Sequence, residues 1–451
     1  MVELIGSFKA LRKVHVFVIG DFVLDVYIKG SVSRISPEAP VAVLHAKEQF
    51  QRPGMAGNVA LNLVSLGAEV SVCGRIGSDP FGKNLIKSLE EDAINTSAMV
   101  AQRGYATPAK NRMIANSQQL LRVDFETITS LSKTLEKRLI EGLDACLASV
   151  DVVAISDYKK GFLTKNLTRA VINAARAKKI PVIVDPKGDD FSKYERATLI
   201  KPNVSEAYYA SKFDRDKSLD KVCEVLLKDS KADYILVTRS EEGMSLFNKD
   251  FKREDFTVKS REVKDVTGAG DTVLAMMTMG MGNNLSPDVC VSLANLAASI
   301  AIQKVGCVRV TLSQIAEKLL HFDALNKIFS EDHFFALKQV LKGRTFTVLS
   351  LDDGQEMTTH LFHTIRSLHD NAGEDHRLIV YLKDCKSSSI LISLLSSLRE
   401  VDFILHCSSS LSKLFFEISP KAIYHMKEDS LKKIKDPTVL LDELSLLSKV
   451  K

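Results

Sequence analysis

Three small residues, Gly268, Ala269 and Gly270, stand directly before Asp271 and an apolar run in "DVTGAGDTVLAMM". Small residues are a poor start for a packed element, but they expose backbone N–H groups to an anion. A helix starting near Asp271 adds its unpaired amides and the positive end of its dipole. A phosphate charge that develops during a reaction is stabilised in such a place. Asp271 is repelled by a phosphate, so it does not suit the role of ligand. It suits that of a base taking a proton from an attacking hydroxyl. That is the chemistry of a kinase acting on an alcohol. Spacing alone leaves a second reading open, a glycine-rich turn with Asp271 as a helix cap.

A site of this kind needs a scaffold. "HVFVIGD", "SVCGRIG", "DVVAISD", "PVIVDP", "ATLIKPN" and "YILVTRS" are short apolar runs ending in a polar or small residue. Helical patterns such as "NVALNLVSLGAEV", "LTRAVINAARAKK" and "SLDKVCEVLLKD" fall between them. Continuously apolar strands alternating with helices predict a parallel α/β sheet covered on both faces. Ligands of such sheets bind at the carboxyl ends of the strands. Asp21, Asp157, Asp185, Asn203 and Thr238 lie at those ends. "YIKGSVSRISPEAPVAVLHAKEQFQRPG" breaks the pattern and reads as a small antiparallel flap inserted after the first strand. From Thr345, "TFTVLSLDDG", "TTHLFHTIRSLHD", "RLIVYLKD", "SSILISLLSSLREV" and "DFILHCSS" predict a second, smaller α/β domain. The expected boundaries are 1–322, a helical connector at 323–343, and 344–451. The tail "DELSLLSKVK" reads as a terminal helix.

Bulk properties narrow the class. A chain of 451 residues exceeds one ordinary core. Its 61 basic and 56 acidic residues leave a formal charge of +5, too dilute to argue for nucleic acid. The seven cysteines are widely spaced with no C-x-x-C pair, which suits free thiols rather than a disulfide framework or a zinc site. The start shows no secretory pattern, and no uncharged apolar run approaches a membrane span of about 20 residues. The expected setting is the bacterial cytoplasm.

"DVTGAGDT" resembles the C-terminal signature of the ribokinase (PfkB) family of sugar kinases. "RPGMAGNVALNLVSLGAEVSVCGRIGSDPFG", Arg52 to Gly82, resembles its first signature. "GDFVLDVY", "SRISPEAPVAVL", "QQLLRVDFE", "ISDYKKGFL", "VDPKG", "IKPNVSE" and "VTRSEEGM" resemble the branch that phosphorylates heptose 7-phosphate and carries an adenylyltransferase half. The resemblance implies a ribokinase-like fold and the use of ATP and Mg²⁺. It makes Asp271 the catalytic base and Gly268, Ala269 and Gly270 the anion hole. Asn203 and Glu206 match an Asn-x-x-Glu motif that organises Mg²⁺ and the ATP phosphates through water. Thr238, Gly243 and Asn295 match nucleotide-binding positions. Asp25, Gly54 and Asn58 match sugar-binding ones. Arg112, Arg122, Lys160 and Lys187 are candidate cations for a distal phosphate. The branch usually reads R-P-G-G-A-A-N at the first signature, so Met55 stands where a glycine is usual. Family members often dimerise through the flap, which makes a homodimer through residues 28–50 an expectation.

The second half resembles a nucleotidyltransferase with a G-x-F-D-x-x-H-x-G-H motif. In "GQEMTTHLFH", Gly354, His360 and His363 fall on its columns. Glu356, Met357 and Phe362 replace its Phe, Asp and second Gly, and a Phe ring at a phosphate-approach position blocks a nucleotide. The strand's usual K-G-G-D is "HMKED". The expectation is a surviving fold without adenylyl transfer, with His360 and His363 as remnants of a nucleotide site. Three alternatives stay open: a kinase for another sugar, sugar phosphate or nucleoside; a non-catalytic sugar- or nucleotide-binding regulator; and retention of both activities.

Overall fold

The computed structural model describes residues 2–116, 118–258, 263–304, 306–323, 327–329, 333–351, 355–370, 376–382, 389–406, 420–427 and 430–434. The chain divides into two compact units. One is Leu11–Thr311; the other joins Met1–Ala10 to Leu312–Lys451.

The first unit is built on an eight-stranded sheet. Its order is Arg253–Phe256, Met244–Asn248, Tyr234–Thr238, Leu199–Ile200, Val182–Asp185, Val152–Ser156, His15–Gly20, Glu69–Cys73. Neighbours are parallel from Tyr234–Thr238 to Glu69–Cys73, and the first two strands are antiparallel additions. Both faces are covered. Phe17, Ile19, Val153 and Ile155 pack with Leu167, Val171 and Leu226 of the helices Lys165–Ala177 and Leu219–Ser230. The alternate residues Val16, Val18 and Ala154 are equally buried, and the helices Ala56–Ser65 and Ala269–Gly282 contact these strands on the way to the site. This two-sided burial is why the strands read as unbroken apolar runs.

The flap is larger than the sequence pattern predicted. Phe22–Ile35 and Ala42–Met55 pair as an antiparallel hairpin. A second hairpin, Ala109–Ala115 with Gln118–Phe125, adds to its edge through parallel pairing of Leu24–Gly30 with Ala109–Ala115. The pairing puts Arg52, Asp25, Lys110 and Asp124 in one cross-strand row, and Phe50, Tyr27, Arg112 and Arg122 in another on the same face.

The second unit holds a six-stranded sheet in the order Ile328–Phe329, Phe403–His406, His376–Leu382, Thr345–Leu351, Ala422–Lys427, Ser430–Ile434. All pairings are parallel except the last. Leu349, Leu351 and Val380 form its core with Leu361, Ile365 and Leu395. The stretch 323–343, expected as a helical connector, contains the last residue of the helix Leu312–Asp323, the strand Ile328–Phe329 and the helix Phe334–Leu341. The expected terminal helix and Gly354 lie outside the described residues.

Candidate active site

Gly268 sits at φ +80°, ψ 0°, a left-handed conformation that glycine adopts without cost, and it turns the chain into the helix Ala269–Gly282. Among the described residues no side chain caps that helix; the Ala269 N–H is taken by the Val266 carbonyl at 3.2 Å, and the Gly270 and Asp271 amides stay open to a ligand. Close approach is built in. A Cβ on Gly268 would lie 3.2 Å from Asn58 Nδ2 and 3.3 Å from Cys307 Sγ, and one on Gly270 would lie 3.6 Å from Lys201 Nζ. The buried Lys201 ammonium therefore adds a full positive charge beside the glycine turn.

Asp271 follows in the first turn, 7% exposed. Asn58 Nδ2 donates to one carboxylate oxygen at 2.7 Å and the Tyr158 hydroxyl donates to the other at 3.0 Å. Burial raises the carboxyl's pKa above its ordinary value, while the two hydrogen bonds and Lys201 pull it back down. Among the described residues each oxygen accepts one side-chain hydrogen bond, which leaves it a second acceptor direction. The group is a desolvated, doubly oriented carboxylate, the arrangement a general base needs.

On one side of this pair lies a cavity of about 500 Å³. Asp157, Asp185, Asn203 and Thr238, all at strand ends, line it together with Gly268, Ala269, Gly270 and Asp271. Asn203 caps the helix Val204–Ser211, and Glu206 answers from the third position: each side chain accepts from the other's backbone N–H, at 2.9 and 3.0 Å. Both still face the cavity. Thr238 bridges to Asn203. Gly243 lies at φ +89°, where a Cβ would come within 1.9 Å of the Phe256 carbonyl. Val258, Val263, Val266, Met244, Ala298 and Ile302 supply an apolar wall. Asn295 donates to the Thr257 carbonyl at 2.9 Å, and its buried Oδ1 has no partner among the described residues.

On the other side lies the flap. Asp25, 7% exposed, accepts from Arg112 at 2.6 Å. A Cβ on Gly54 would stand 2.3 Å from Asp25 Oδ2, so glycine there is what lets the carboxylate take its place. The other proposed cations are distributed. Arg122 pairs with Asp124 at 2.9 Å and Lys160 with Glu126 at 2.7 Å. Lys187 pairs with Glu206 at 2.7 Å and lines the cavity that holds Asn203, on the nucleotide side. Met55 occupies φ +55°, ψ −124° and is buried. In the second unit His360 and His363 are exposed on the helix Thr359–Asp370. The half-buried Phe362 ring sits 6.1 Å from that of His363, edge-on.

Two residues of the site, Tyr158 and Lys201, were not singled out in the sequence, whereas Asp185 was, as a strand end. Tyr158 lies in "ISDYKKGFL" directly after a strand end, which was the available signal. Lys201 and Asp185 form a buried ion pair at 3.0 Å across neighbouring strand ends. Burial pushes the Asp185 carboxyl up to about 6, against the pull of Lys201.

The residues present are compatible with Mg²⁺ under one condition. Among the described residues no three carboxylate, imidazole or thiol groups converge to hold a metal directly. Glu206 and Asp185 face the cavity and each is engaged by a lysine. Such a site suits an ion ligated by nucleotide phosphates and water, with the two carboxylates behind the water.

Comparison with known proteins agrees with this layout. Residues 13–314 match the model of the pfkB family carbohydrate kinases. The chain is 40% identical over 341 residues to the bifunctional protein HldE of Pelobacter propionicus, covering 75% of this chain and 70% of that one. It is 37% identical over 412 residues to the HldE of Hydrogenovibrio crunogenus, covering 87% and 83%, a span that runs well past residue 314. Among solved structures, phosphofructokinase-2 from Escherichia coli aligns with a TM-score of 0.56 at 19% identity, covering 69% of this chain and 99% of that one. Arabidopsis thaliana ribokinase, complexed with ribose and ATP, aligns with a TM-score of 0.53 at 18% identity, covering 68% and 99%. These two share the fold. With a glycine turn opening onto a buried aspartate, and a family match spanning two thirds of its length, the chain belongs to the pfkB family of carbohydrate kinases.

Proposed function

We propose that the protein transfers the γ-phosphoryl group of ATP to the anomeric hydroxyl of D-glycero-D-manno-heptose 7-phosphate, giving heptose 1,7-bisphosphate and ADP. The observation that carries this reading is Asp271, buried in the first turn of an uncapped helix with both oxygens held by donors. Asp271 takes the proton from O1 as O1 forms its bond to the γ-phosphorus. The bond from that phosphorus to the β–γ bridging oxygen breaks, and ADP departs. The Gly270 and Asp271 amides and the Lys201 ammonium face the charge that develops on the transferring group. The apolar wall receives the base of the nucleotide, and Asn295, whose buried Oδ1 has no partner among the described residues, lines the same cavity. Asn203 and Glu206 would hold a Mg²⁺ through water, and the ion would supply charge neutralisation at the phosphates. Asp25, Gly54 and Asn58 receive the sugar, and Arg112 beside Asp25 faces the same space. The heptose assignment draws on the resemblance of residues 8 to 320 to that branch and on the HldE relatives.

We propose further that the second unit no longer transfers adenylate. Phe362 stands where the nucleotidyltransferase motif has glycine, and His360 and His363 lie exposed beside it. A cytoplasmic homodimer through the flap fits the exposed Ile35 and Val41 on that element.

The test is ADP release by purified protein with ATP, Mg²⁺ and a panel of sugars, with Asp271→Asn beside wild type. Turnover on heptose 7-phosphate that the variant loses is the expected outcome. Turnover only on another sugar would overturn the heptose assignment. Equal rates in both proteins would overturn the kinase mechanism. Pyrophosphate release with heptose 1-phosphate would show that the second unit still works.

A further inference from the structure

Two donors hold Asp271. Asn58 belongs to the proposed sugar-binding signature. Tyr158 comes from the turn after the strand Val152–Ser156, and the mechanism above uses it only as a donor seen on Asp271. That turn is held unusually firmly. Asp21 accepts from the backbone N–H groups of Tyr158 and Lys160, both at 3.0 Å. Asp157 accepts from the Lys159 N–H at 2.8 Å and from the Tyr194 hydroxyl at 2.7 Å, and it pairs with Lys193. Both carboxyls are 3% exposed. Burial, and then the neighbouring Asp157, push the Asp21 carboxyl up. Two neighbouring acids in the interior are costly to keep. What they restrain is the loop that delivers one phenol to Asp271.

We propose that Tyr158 is a positioning residue for phosphoryl transfer: together with Asn58 it fixes the orientation of the Asp271 carboxylate and favours its ionised form, and the Asp21–Asp157 tether holds the phenol in place. This rests on Asp271 being the base. The phenol is suited to the role because burial keeps it neutral, so it remains a donor across the working range. Lys201, Asp25, Asp185 and Cys307 also act on Asp271 electrostatically, and none of them changes when Tyr158 loses its hydroxyl.

The experiment compares wild type, Tyr158→Phe, Asp21→Asn and Asp271→Asn. It measures kcat, both KM values, the pH dependence of kcat/KM and thermal unfolding. Tyr158→Phe keeps the ring that lines the cavity. Its kcat falls about tenfold or more, as loss of a hydrogen bond to a charged group implies. Its KM for ATP stays within about twofold, since the cavity wall is intact. Its acid limb moves to higher pH, because a carboxylate with one donor fewer takes up its proton more readily. Asp21→Asn loosens the tether and moves kcat and the acid limb in the same directions, which covers the case in which the Phe variant does not fold. A change confined to KM, or wild-type kcat with an unmoved acid limb in a folded variant, would overturn the proposal. Asp271→Asn separates the layers. If it is inactive while Tyr158→Phe is unaffected, only the positioning role fails. If it is fully active, the base assignment fails first.

Discussion

Replacing Met55 with glycine and with alanine should invert the usual order of helix-flanking substitutions. Met55 precedes the helix Ala56–Ser65 at φ +55°, ψ −124°, a region open to glycine and strained for residues with a Cβ. Holding a non-glycine residue there costs about 1–3 kcal/mol. Its side chain is 7% exposed, so it also contributes burial. Met55→Ala loses that burial, worth about 2–5 kcal/mol in a core, and keeps the strain. Met55→Gly loses the same side chain and about 0.5–1 kcal/mol of backbone entropy, but it releases the strain. Taking the middle of each range, the glycine variant comes out roughly 1 kcal/mol more stable than the alanine variant. At an unstrained position the order is reversed by a similar amount. Urea unfolding of the three proteins reads the difference, provided the slopes agree. An alanine variant as stable as the glycine one, or more so, would refute the strain argument.

Gly54→Ala places a Cβ 2.3 Å from Asp25 Oδ2 and must displace that carboxylate. Steady-state kinetics should show KM for the sugar rising about tenfold or more while KM for ATP stays put, as misplacing a binding group by about 1 Å implies. Gly243→Ala meets the Phe256 carbonyl at 1.9 Å from a φ of +89°. It should raise KM for ATP and lower stability by about 2 kcal/mol, read by nucleotide titration and urea unfolding. Burial raises Asp271 above its ordinary 3.8, and catalysis needs its ionised form. Activity is therefore complete above the raised value and lost as pH falls through it, so a pH profile of kcat/KM should place the acid limb above 3.8.

The parallel sheet was legible because burial on both faces writes each strand as a continuous apolar run. The helix ends were legible too: Gly67, where the pattern "NVALNLVSLGAEV" stops, sits at φ +86°. The second hairpin of the flap was not. Gln118–Phe125 is exposed along nearly its whole length, so no core imposes an alternation on "QQLLRVDF". At the site, the glycine turn and its aspartate announce themselves over four consecutive residues. The contact of Tyr158 with Asp271 spans 113 residues, and nothing local to either one encodes it. Asn203 and Glu206 carry two messages at once, a capping box and a cavity wall, and their spacing spells only the first. Met55 looks like an ordinary apolar residue until its backbone angles are known.

The first helix, Val2–Phe8, packs with residues from the far side of the chain: Phe8 is fully buried and its ring meets that of Phe335 edge-on at 5.4 Å. A ribosome adding about 5–20 residues per second makes that helix tens of seconds before its partner. During that interval the whole of Leu11–Thr311 is synthesised and can fold, while Phe8 has nothing to pack against. The second unit is thus begun first and finished last.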